Sequence, residues 1–261
     1  RAVRWMRQHN RPVLGWGLGA PRSGNLIEQR FRLNFLCSLN GVIAYSQRGA
    51  DEYRAMGLDC VFVAHNAVSP RPTNIPSKRI FPVDDPPTLL FVGRLQERKR
   101  LDILLHACAS LPSEIQPIVK IVGDGPAISG LRSLAAEIYP TAAFVGAKHG
   151  PELDAFFAKA DLFALPGTGG LAVQQAMTHG LPVIVAQGDG TQDDLVRPEN
   201  GWQVPPGDQD AFTNVLQNAL SDIPRLRKMG AESYRIVSEE INLEAMVESF
   251  VAALDAVKRD I

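Results

Sequence analysis

Short apolar runs alternate with longer segments in which apolar residues recur every three or four positions, and this pattern covers most of the chain. The short runs predict buried strands and the longer segments predict helices. Such alternation is typical of parallel βαβ units. In the first 65 residues it predicts strands at Pro12–Trp16, Val42–Tyr45 and Cys60–Ala64 and helices at Ala2–His9, Gly24–Leu39 and Gln47–Met56.

A proline-rich segment interrupts the alternation. Residues 69–87 contain six prolines, which break helices and cannot donate to a strand ladder. We therefore predict a linker over 69–87, between a partial Rossmann-like domain over 1–68 and a complete one over 88–261. With three strands, the first domain resembles only the latter part of such a fold, so we expect the chain to begin inside a domain.

From Thr88 onward the alternation is regular and predicts a doubly wound α/β domain, whose ligands bind at the carboxyl ends of the strands. The predicted strands are Leu89–Val92, Ile118–Val122, Ala143–Val145, Leu162–Leu165, Pro182–Ala186 and Trp202–Val204. The predicted helices are Arg100–Ser110, Ala127–Ile138, Glu152–Lys159, Leu171–His179, Asp210–Leu220, Ile223–Glu240 and Leu243–Lys258.

Composition narrows the class of protein. The 261 residues include 45% apolar and 21% charged positions, which is ordinary for a folded protein and excludes intrinsic disorder. Three widely spaced cysteines predict neither a disulfide framework nor a metal site and favour a reducing, cytoplasmic location. Residues 1–80 contain twelve Lys and Arg against four Asp and Glu, whereas the remainder is acidic. This split indicates two surfaces with different partners, or a drift in composition.

The loop after the strand Leu89–Val92 contains two cations, Arg94 and Lys99. Arginine offers a planar fork to phosphate oxygens, and lysine offers a compact point charge. At the mouth of a parallel sheet, both residues are candidates for binding a phosphate. A solvated basic loop is the alternative.

A second candidate loop follows the strand Leu162–Leu165, where glycines at positions 167, 169 and 170 precede a predicted helix. The N-terminus of a helix presents free N–H groups and a positive dipole, which suit an anion. Gln175 lies in the next helical turns and is able to reach a hydroxyl near that anion. No Lys-Ser/Thr pair follows the glycines, so a P-loop is excluded. A tight turn with glycines for packing is the alternative.

Other chemistry has little support in the sequence. The Gly15–Ala20 segment matches a dinucleotide-binding fingerprint, but the next strand does not end in the expected acid. The five histidines are scattered, without the spacing of a metal site. No G-x-S-x-G sequence is present, so acyl transfer is unsupported.

Seven segments, in order and in register, resemble the retaining glycosyltransferases of the GT-B fold in glycosyltransferase group 1 (family 4). They are Phe91–Lys99, Ile121–Pro126, Phe144–Gly146, Ala160–Pro166, Gly170–Met177, His179–Ile184 and Asn200–Asp208. The resemblance implies a GT-B-like fold and transfer of a sugar, with retention and without a metal or other cofactor, from a nucleoside-diphosphate sugar. It implies a glycan or a lipid-linked molecule as acceptor and no role for nucleic acid.

The resemblance also implies which residues bind the donor. Arg94 and Lys99 match the residues that hold the diphosphate, and Val145 lies in the segment beside the nucleobase. The turn matching 168–173 presents backbone amides to phosphate and sugar, and Gln175 matches the residue that contacts the ribose. The donor-binding residues of that turn are Thr168, Gly169, Gly170, Leu171 and Ala172. No catalytic residue is assigned.

Two positions depart from the family pattern. The family has a pair of glutamates eight positions apart, and this chain has Gly167 and Gln175 in their place. A glycine has no side chain with which to contact a sugar. The alternative to an enzyme is therefore a non-catalytic or incomplete module that binds a nucleotide sugar. An epimerase on the same fold is a third hypothesis, but it needs acids that the sequence does not supply near the donor.

The basic half of the chain suggests a further partner. Arg1, Arg4 and Arg7 recur at helical spacing, while Arg30 and Arg32 lie next to Phe31 and Phe35; Arg22 and Leu36 belong to the same stretch. Basic residues interleaved with apolar ones suit a peripheral surface that meets anionic lipid at the inner face of the membrane. The alternative is that the aromatic residues are part of the core and the arginines are solvated.

Overall fold

The computed structural model describes residues 1–20, 25–76, 86–169, 171–188 and 190–259. In chain order the elements are α1 (Ala2–Gln8), β1 (Leu14–Gly17), α2 (Leu26–Leu36), β2 (Gly41–Ala44), α3 (Gln47–Ala55), β3 (Val61–Val63), β4 (Thr88–Val92), α4 (Leu101–Ser110), β5 (Ile118–Val122), α5 (Ile128–Ile138), β6 (Ala143–Gly146), α6 (Gly150–Lys159), β7 (Leu162–Leu165), α7 (Leu171–Thr178), β8 (Val183–Ala186), β9 (Gly201–Val204), α8 (Gln209–Leu220), α9 (Ile223–Glu239) and α10 (Leu243–Arg259). Short 3₁₀ turns occupy Glu97–Lys99 and Ser113–Ile115.

The chain divides into two compact units, which we call the first and the second unit. The first comprises Arg1–Pro70, Asp189–Asp194 and Ile241–Ile261. The second comprises Arg71–Gly188 and Leu195–Glu240.

The first unit is built on a parallel three-stranded sheet in the order β1-β2-β3. Side chains of the central strand alternate between its two faces. On one face, Val42 and Ala44 form a buried cluster with residues of α3, including Ala50 and Tyr53. On the other face, Ile43 packs with Ala253 of α10. Ser46 caps α3, and its hydroxyl accepts a hydrogen bond from the Gly49 amide at 3.1 Å.

The second unit has a six-stranded sheet in the order β6-β5-β4-β7-β8-β9, and every pairing is parallel. The central strands β7 and β8 are buried along their whole length, as expected for a sheet covered by helices on both faces. The chain runs outward from β4 to β6 and then returns to the other side of β4 with β7. The carboxyl ends of β4 and β7 therefore form a topological switch point, where ligands of such sheets bind.

The predicted fold class is confirmed, and each predicted strand and helix in the described residues is present with small shifts at its ends. The compact units place α10 with the first unit, although it lies within the range 88–261 predicted for the second domain, and the predicted domain boundaries stay a prediction. The physical reason is the apolar face of that helix, where Ala253 is fully buried against Ile43 and Ala64. The predicted linker at 69–87 stays a prediction, since residues 77–85 lie outside the described ones.

Candidate functional site

The loops after β4 and β5 pack closely against each other at the carboxyl edge of the second sheet. The Leu95 amide donates to the Asp124 carbonyl at 2.9 Å, and the Ala127 amide donates to the Leu95 carbonyl at 3.1 Å. Gly123, with a φ of +142°, allows this approach, because a Cβ there would overlap the carbonyl oxygen of Gly93. The two loops therefore form one fixed platform.

A cavity of about 770 Å³ opens on this platform. Arg94 lines it, is exposed, and makes no ion pair or hydrogen bond to any residue that the structure describes. Lys148 and His149 approach from the loop after β6, and Lys148 pairs with Glu152 at 3.3 Å. The remaining lining residues are Val92, Gly93, Val122, Gly123, Asp124, Gly125, Pro126, Ala147 and Leu153. Lys148 is paired with Glu152 and Asp124 also lines the cavity, so Arg94 is the lining cation that we expect to attract an anionic ligand.

The loop after β7 is joined to the β4 loop on the other side of the switch point. The Lys99 ammonium donates to the Thr168 carbonyl at 2.7 Å. The Arg98 guanidinium donates to the Thr168 hydroxyl at 3.2 Å, and the Thr168 amide donates to the Arg98 carbonyl at 3.1 Å. Two cations are thus held at one turn of the chain.

The glycines of the β7 loop make this arrangement possible. Gly167 is buried, and a Cβ there would overlap the backbone of Arg98 and Lys99. Gly169 has a φ of +123°, and a Cβ there would overlap the Lys99 ammonium. The two hypotheses for these glycines, a tightly packed turn and an anion-binding loop, are therefore compatible, because the packing itself positions the cations.

Lys99 is the electrostatically perturbed member of the group. It is half-buried, and burial lowers its pKa below the usual lysine value, with the nearby positive charge of Arg98 lowering it further. Lys99 donates to the Thr168 carbonyl and Arg98 donates to the Thr168 hydroxyl, and both of these acceptors are neutral. Within the described ranges no carboxylate pairs with either side chain. An anion bound here would meet charge that the protein leaves uncompensated.

The other predicted donor-binding residues that the structure describes do not line this cavity. Val145 is half-buried within β6, two residues before Ala147 of the cavity wall. Leu171 is exposed and Ala172 half-buried at the start of α7. Gly170 lies outside the described residues. The structure thus brings Lys99, Thr168 and Gly169 together, while Arg94 lines the cavity toward β5 and β6.

Gln175 is half-buried on α7, and its side-chain amide makes no hydrogen bond to the described part of the chain. Its neighbour Gln174 is buried, with 1% of its surface exposed. The orientation of α7 therefore distinguishes the two: Gln174 faces the interior, and Gln175 is the one available to a ligand.

Sequence reasoning missed Lys148 and His149. The signal was their position, directly after β6 at the same carboxyl edge as Arg94. Among the residues that the structure describes, no group of three or more His, Cys, Asp or Glu could hold a metal ion.

The first unit has an exposed surface of a different kind, which we call the aromatic stripe: Ile27, Phe31 and Phe35 of α2, with 68%, 72% and 54% of their surfaces exposed. Trp5 of α1 is 56% exposed and lines a groove with Phe35. Five arginines on these helices are also exposed: Arg1, Arg4, Arg7, Arg30 and Arg32. The alternative that Phe31 and Phe35 are part of the core is therefore wrong, whereas Leu36 does pack against the core. Of the helices described, none is long and apolar enough to cross a membrane.

Comparison with known proteins identifies the family. The family model described as glycosyl transferases group 1 matches residues 74–236. The chain is 32% identical over 142 residues to the sulfoquinovosyl transferase SQD2 of Arabidopsis thaliana, covering 52% of this chain and 27% of that protein. It is 32% identical over 170 residues to a GDP-mannose-dependent alpha-mannosyltransferase of Mycobacterium tuberculosis, covering 64% of this chain and 42% of that protein. The chain thus spans less than half the length of these two relatives.

Solved structures support the same fold. Anabaena Alr3699/HepE in complex with UDP superposes with a TM-score of 0.78 at 19% identity, covering 98% of this chain and 75% of that one. Sucrose-phosphate synthase from Thermosynechococcus elongatus gives a TM-score of 0.75 at 22% identity, covering 100% of this chain and 71% of that one. The predicted GT-B-like architecture is confirmed by these likenesses. The chain belongs to the glycosyl transferases group 1 family.

Proposed function

We propose that this group 1 family member transfers a sugar from a nucleoside-diphosphate sugar to a glycan or lipid-linked acceptor. The donor diphosphate binds at the carboxyl edge of the second unit, between the loops that follow β4 and β7. The observation that supports this most is the uncompensated charge of Lys99, held at the Thr168 carbonyl at the switch point. Relatives whose names state GDP-mannose dependence agree with such a donor.

The charges suit the reaction. As the bond between the anomeric carbon and the diphosphate oxygen breaks, negative charge grows on the leaving diphosphate. Fixed cations and helix amides that are already in place stabilise that charge without reorganisation. Arg94, Lys99 and the amino end of α7 are the groups in question. Because side chains supply this stabilisation, we propose a reaction that needs no metal ion, with retention as the sequence resemblance implies.

The cavity beside Arg94 is the proposed site of the nucleoside. Part of its wall comes from the loops that follow β5 and β6, and Val145 lies in β6, directly before the second of these loops. Gln175, on α7, is proposed to contact the ribose. The cavity of about 770 Å³ is within the usual size range of small-molecule sites, about 300–1,000 Å³.

The second candidate function is a module that binds a nucleotide sugar without catalysis. Gly167 favours it, because the backbone of Arg98 and Lys99 leaves no space for a side chain at this position. Binding of a donor without its hydrolysis or transfer, across a panel of acceptors, would support this candidate over the enzyme.

We further propose that the first unit, which would bind the acceptor, meets the cytoplasmic face of a membrane. The aromatic stripe and the five exposed arginines of α1 and α2 combine apolar area with positive charge. Each basic residue near an anionic surface adds about 1 kcal/mol of attraction. Co-sedimentation with vesicles containing anionic lipid, but not with neutral ones, is the expected result at low salt. Sedimentation that is independent of lipid charge, or absent from both, contradicts it.

Calorimetric titration with UDP, GDP and their sugars tests the donor site. We expect one of the two diphosphates to bind. Arg94→Ala and Lys99→Ala should each weaken that binding by about 1.5–3 kcal/mol, the range for hydrogen bonds to charged groups. Lys159→Ala is the matched control, because Lys159 ends α6 on the opposite edge of the sheet and is exposed. Unchanged affinity in both test variants would overturn the assignment.

A further inference from the structure

Among the described residues, the side chains that hydrogen-bond to Thr168 are both cationic. Arg98 contacts its hydroxyl at 3.2 Å and its carbonyl at 3.4 Å, and Lys99 contacts the same carbonyl at 2.7 Å. The other described partner of the Arg98 side chain is the Gln96 amide oxygen at 3.0 Å. All these acceptors are neutral, so the two cations keep their full charge for a ligand.

At the position before Thr168, an acidic side chain does not fit beside Arg98 and Lys99. Gly167 precedes Thr168, is buried, and faces the backbone of Arg98 and Lys99 where a Cβ would stand. Farther along α7, Gln175 is half-buried, and its side-chain amide is neutral. Both positions at which the family has a glutamate are therefore without charge, and one is closed by packing.

The two cations differ in what they can reach. Lys99 is half-buried and is held at the Thr168 carbonyl, at the switch point where the diphosphate is proposed to lie. Arg98 is exposed; its Nε donates to Gln96 and its Nη1 donates to Thr168, which leaves Nη2 without a described partner. A diphosphate neutralised by Arg94 and Lys99 leaves the charge of Arg98 available for another group.

We infer that the sugar of the donor carries an anionic substituent, such as the carboxylate of a uronic acid, and that Arg98 binds it. This rests on the proposed function, since it concerns the sugar of the same donor. A guanidinium forms charge-assisted hydrogen bonds to a carboxylate, which are stronger than hydrogen bonds between neutral groups, and Nη2 of Arg98 is the nitrogen that is open to such a bond. A glutamate at position 167 or 175 would repel such a sugar, so the uncharged residues Gly167 and Gln175 suit this substrate.

Pairs of donors that differ only in that group test the inference. Titrations use UDP-glucose against UDP-glucuronic acid and GDP-mannose against GDP-mannuronic acid, with UDP and GDP alone as references. The protein is compared with Arg98→Gln, with Arg98→Lys, which keeps the charge, and with Lys159→Gln, a control on the opposite edge of the sheet. Each is measured at low and moderate salt.

We expect the anionic member of a pair to bind about tenfold or more tightly than its neutral partner. Arg98→Gln should abolish most of that preference, with little change in the affinity for the free diphosphate. Arg98→Lys should retain part of the preference, and Lys159→Gln all of it.

Equal affinities within each pair, for a protein that binds UDP or GDP, would overturn the inference alone. It would also be overturned if Arg98→Gln weakened the free diphosphate and both sugars equally, because Arg98 would then be a diphosphate residue. Failure to bind either diphosphate would overturn the proposed function and the inference with it.

Discussion

The two units use their helices differently, and α4 and α2 show the difference most clearly. α4 buries most of its side chains within the second unit: Leu101, Ile103, Leu104, Leu105, Ala107 and Cys108. α2 packs only its Leu33 and Leu36 side against the core and turns the aromatic stripe outward. Both helices follow a strand of a parallel sheet, so the connection alone does not decide how much of a helix is buried.

This contrast separates two kinds of exposed chemistry. In the second unit most large apolar side chains are buried, and the cations Arg94, Arg98, Lys99 and Lys148 lie in loops at one edge of the sheet. In the first unit cations and large apolar side chains share the same helical surface. The first arrangement suits a small anionic ligand, whereas the second suits an extended surface such as a membrane.

Truncation of one side chain on each helix is the strongest test of the contrast. Leu104 is fully buried, so Leu104→Ala should lower the free energy of unfolding by about 2–5 kcal/mol through lost burial and the cavity left behind. Phe31 is 72% exposed, so Phe31→Ala should change it by no more than about 0.5 kcal/mol. Urea unfolding followed by circular dichroism measures both. A large loss for Phe31→Ala would show that the stripe is covered by protein.

A pair of glycines tests the packing of the switch point. Gly167→Ala should separate the β4 and β7 loops, destabilise the protein by about 1–3 kcal/mol and weaken diphosphate binding. Gly130, in α5, has open space around it, so Gly130→Ala should be neutral or stabilising by up to about 1 kcal/mol. Thermal unfolding and UDP titration of the two variants make the comparison. Equal behaviour would contradict the close approach of the loops.

Most of the fold could be predicted from the sequence, because buried parallel strands are short apolar runs and their helices have a clear period. The location of the candidate site followed from the rule that ligands bind at strand carboxyl ends. Long-range packing was less accessible. That α10 packs on β2 depends on contacts such as Ala253 with Ile43, which no local pattern reveals.

Details of the site also escaped prediction, for physical reasons. Gly167 is two residues beyond β7, and only the approach of Arg98 and Lys99 from a distant loop shows why a side chain does not fit. Lys148 and Arg94 are far apart in sequence and meet only through the strand order β6-β5-β4. The outward direction of Phe31 likewise required knowledge of which side of α2 meets the core.

The pH dependence of binding sharpens the role assigned to Lys99. Burial and the charge of Arg98 lower its pKa, so it loses its proton at a lower pH than an ordinary lysine. Diphosphate affinity should therefore fall as the pH rises toward 10, and it should fall less in Lys99→Arg, whose guanidinium stays charged. The folding stability of the free protein should change with pH in the opposite direction. The unfolded state holds the Lys99 proton more tightly than the folded state, so the contribution of Lys99 to the free energy of unfolding rises with pH through the same range. Calorimetric titrations across pH 7–10 measure this affinity. An equal fall in the diphosphate affinity of the unchanged protein and of Lys99→Arg would contradict the assignment.

The smallest expected effect concerns Gln175. Loss of one neutral hydrogen bond to the ribose costs about 0.5–1.5 kcal/mol of binding free energy. Gln175→Ala should therefore raise the KM for the donor more than it lowers kcat. Gln175→Glu should be tolerated, because it introduces the residue that the family has at this position. A large loss of turnover at unchanged donor affinity would place Gln175 at the reacting centre instead.

Hydrogen–deuterium exchange with and without saturating UDP or GDP tests the central claim, that the nucleotide binds at the carboxyl edge of the second sheet. The account predicts slower exchange in the loops at 93–99, 123–126 and 166–169, and unchanged exchange in α1 and α2. Protection confined to the first unit, or a bound diphosphate that leaves residues 93–99 unchanged, would contradict it.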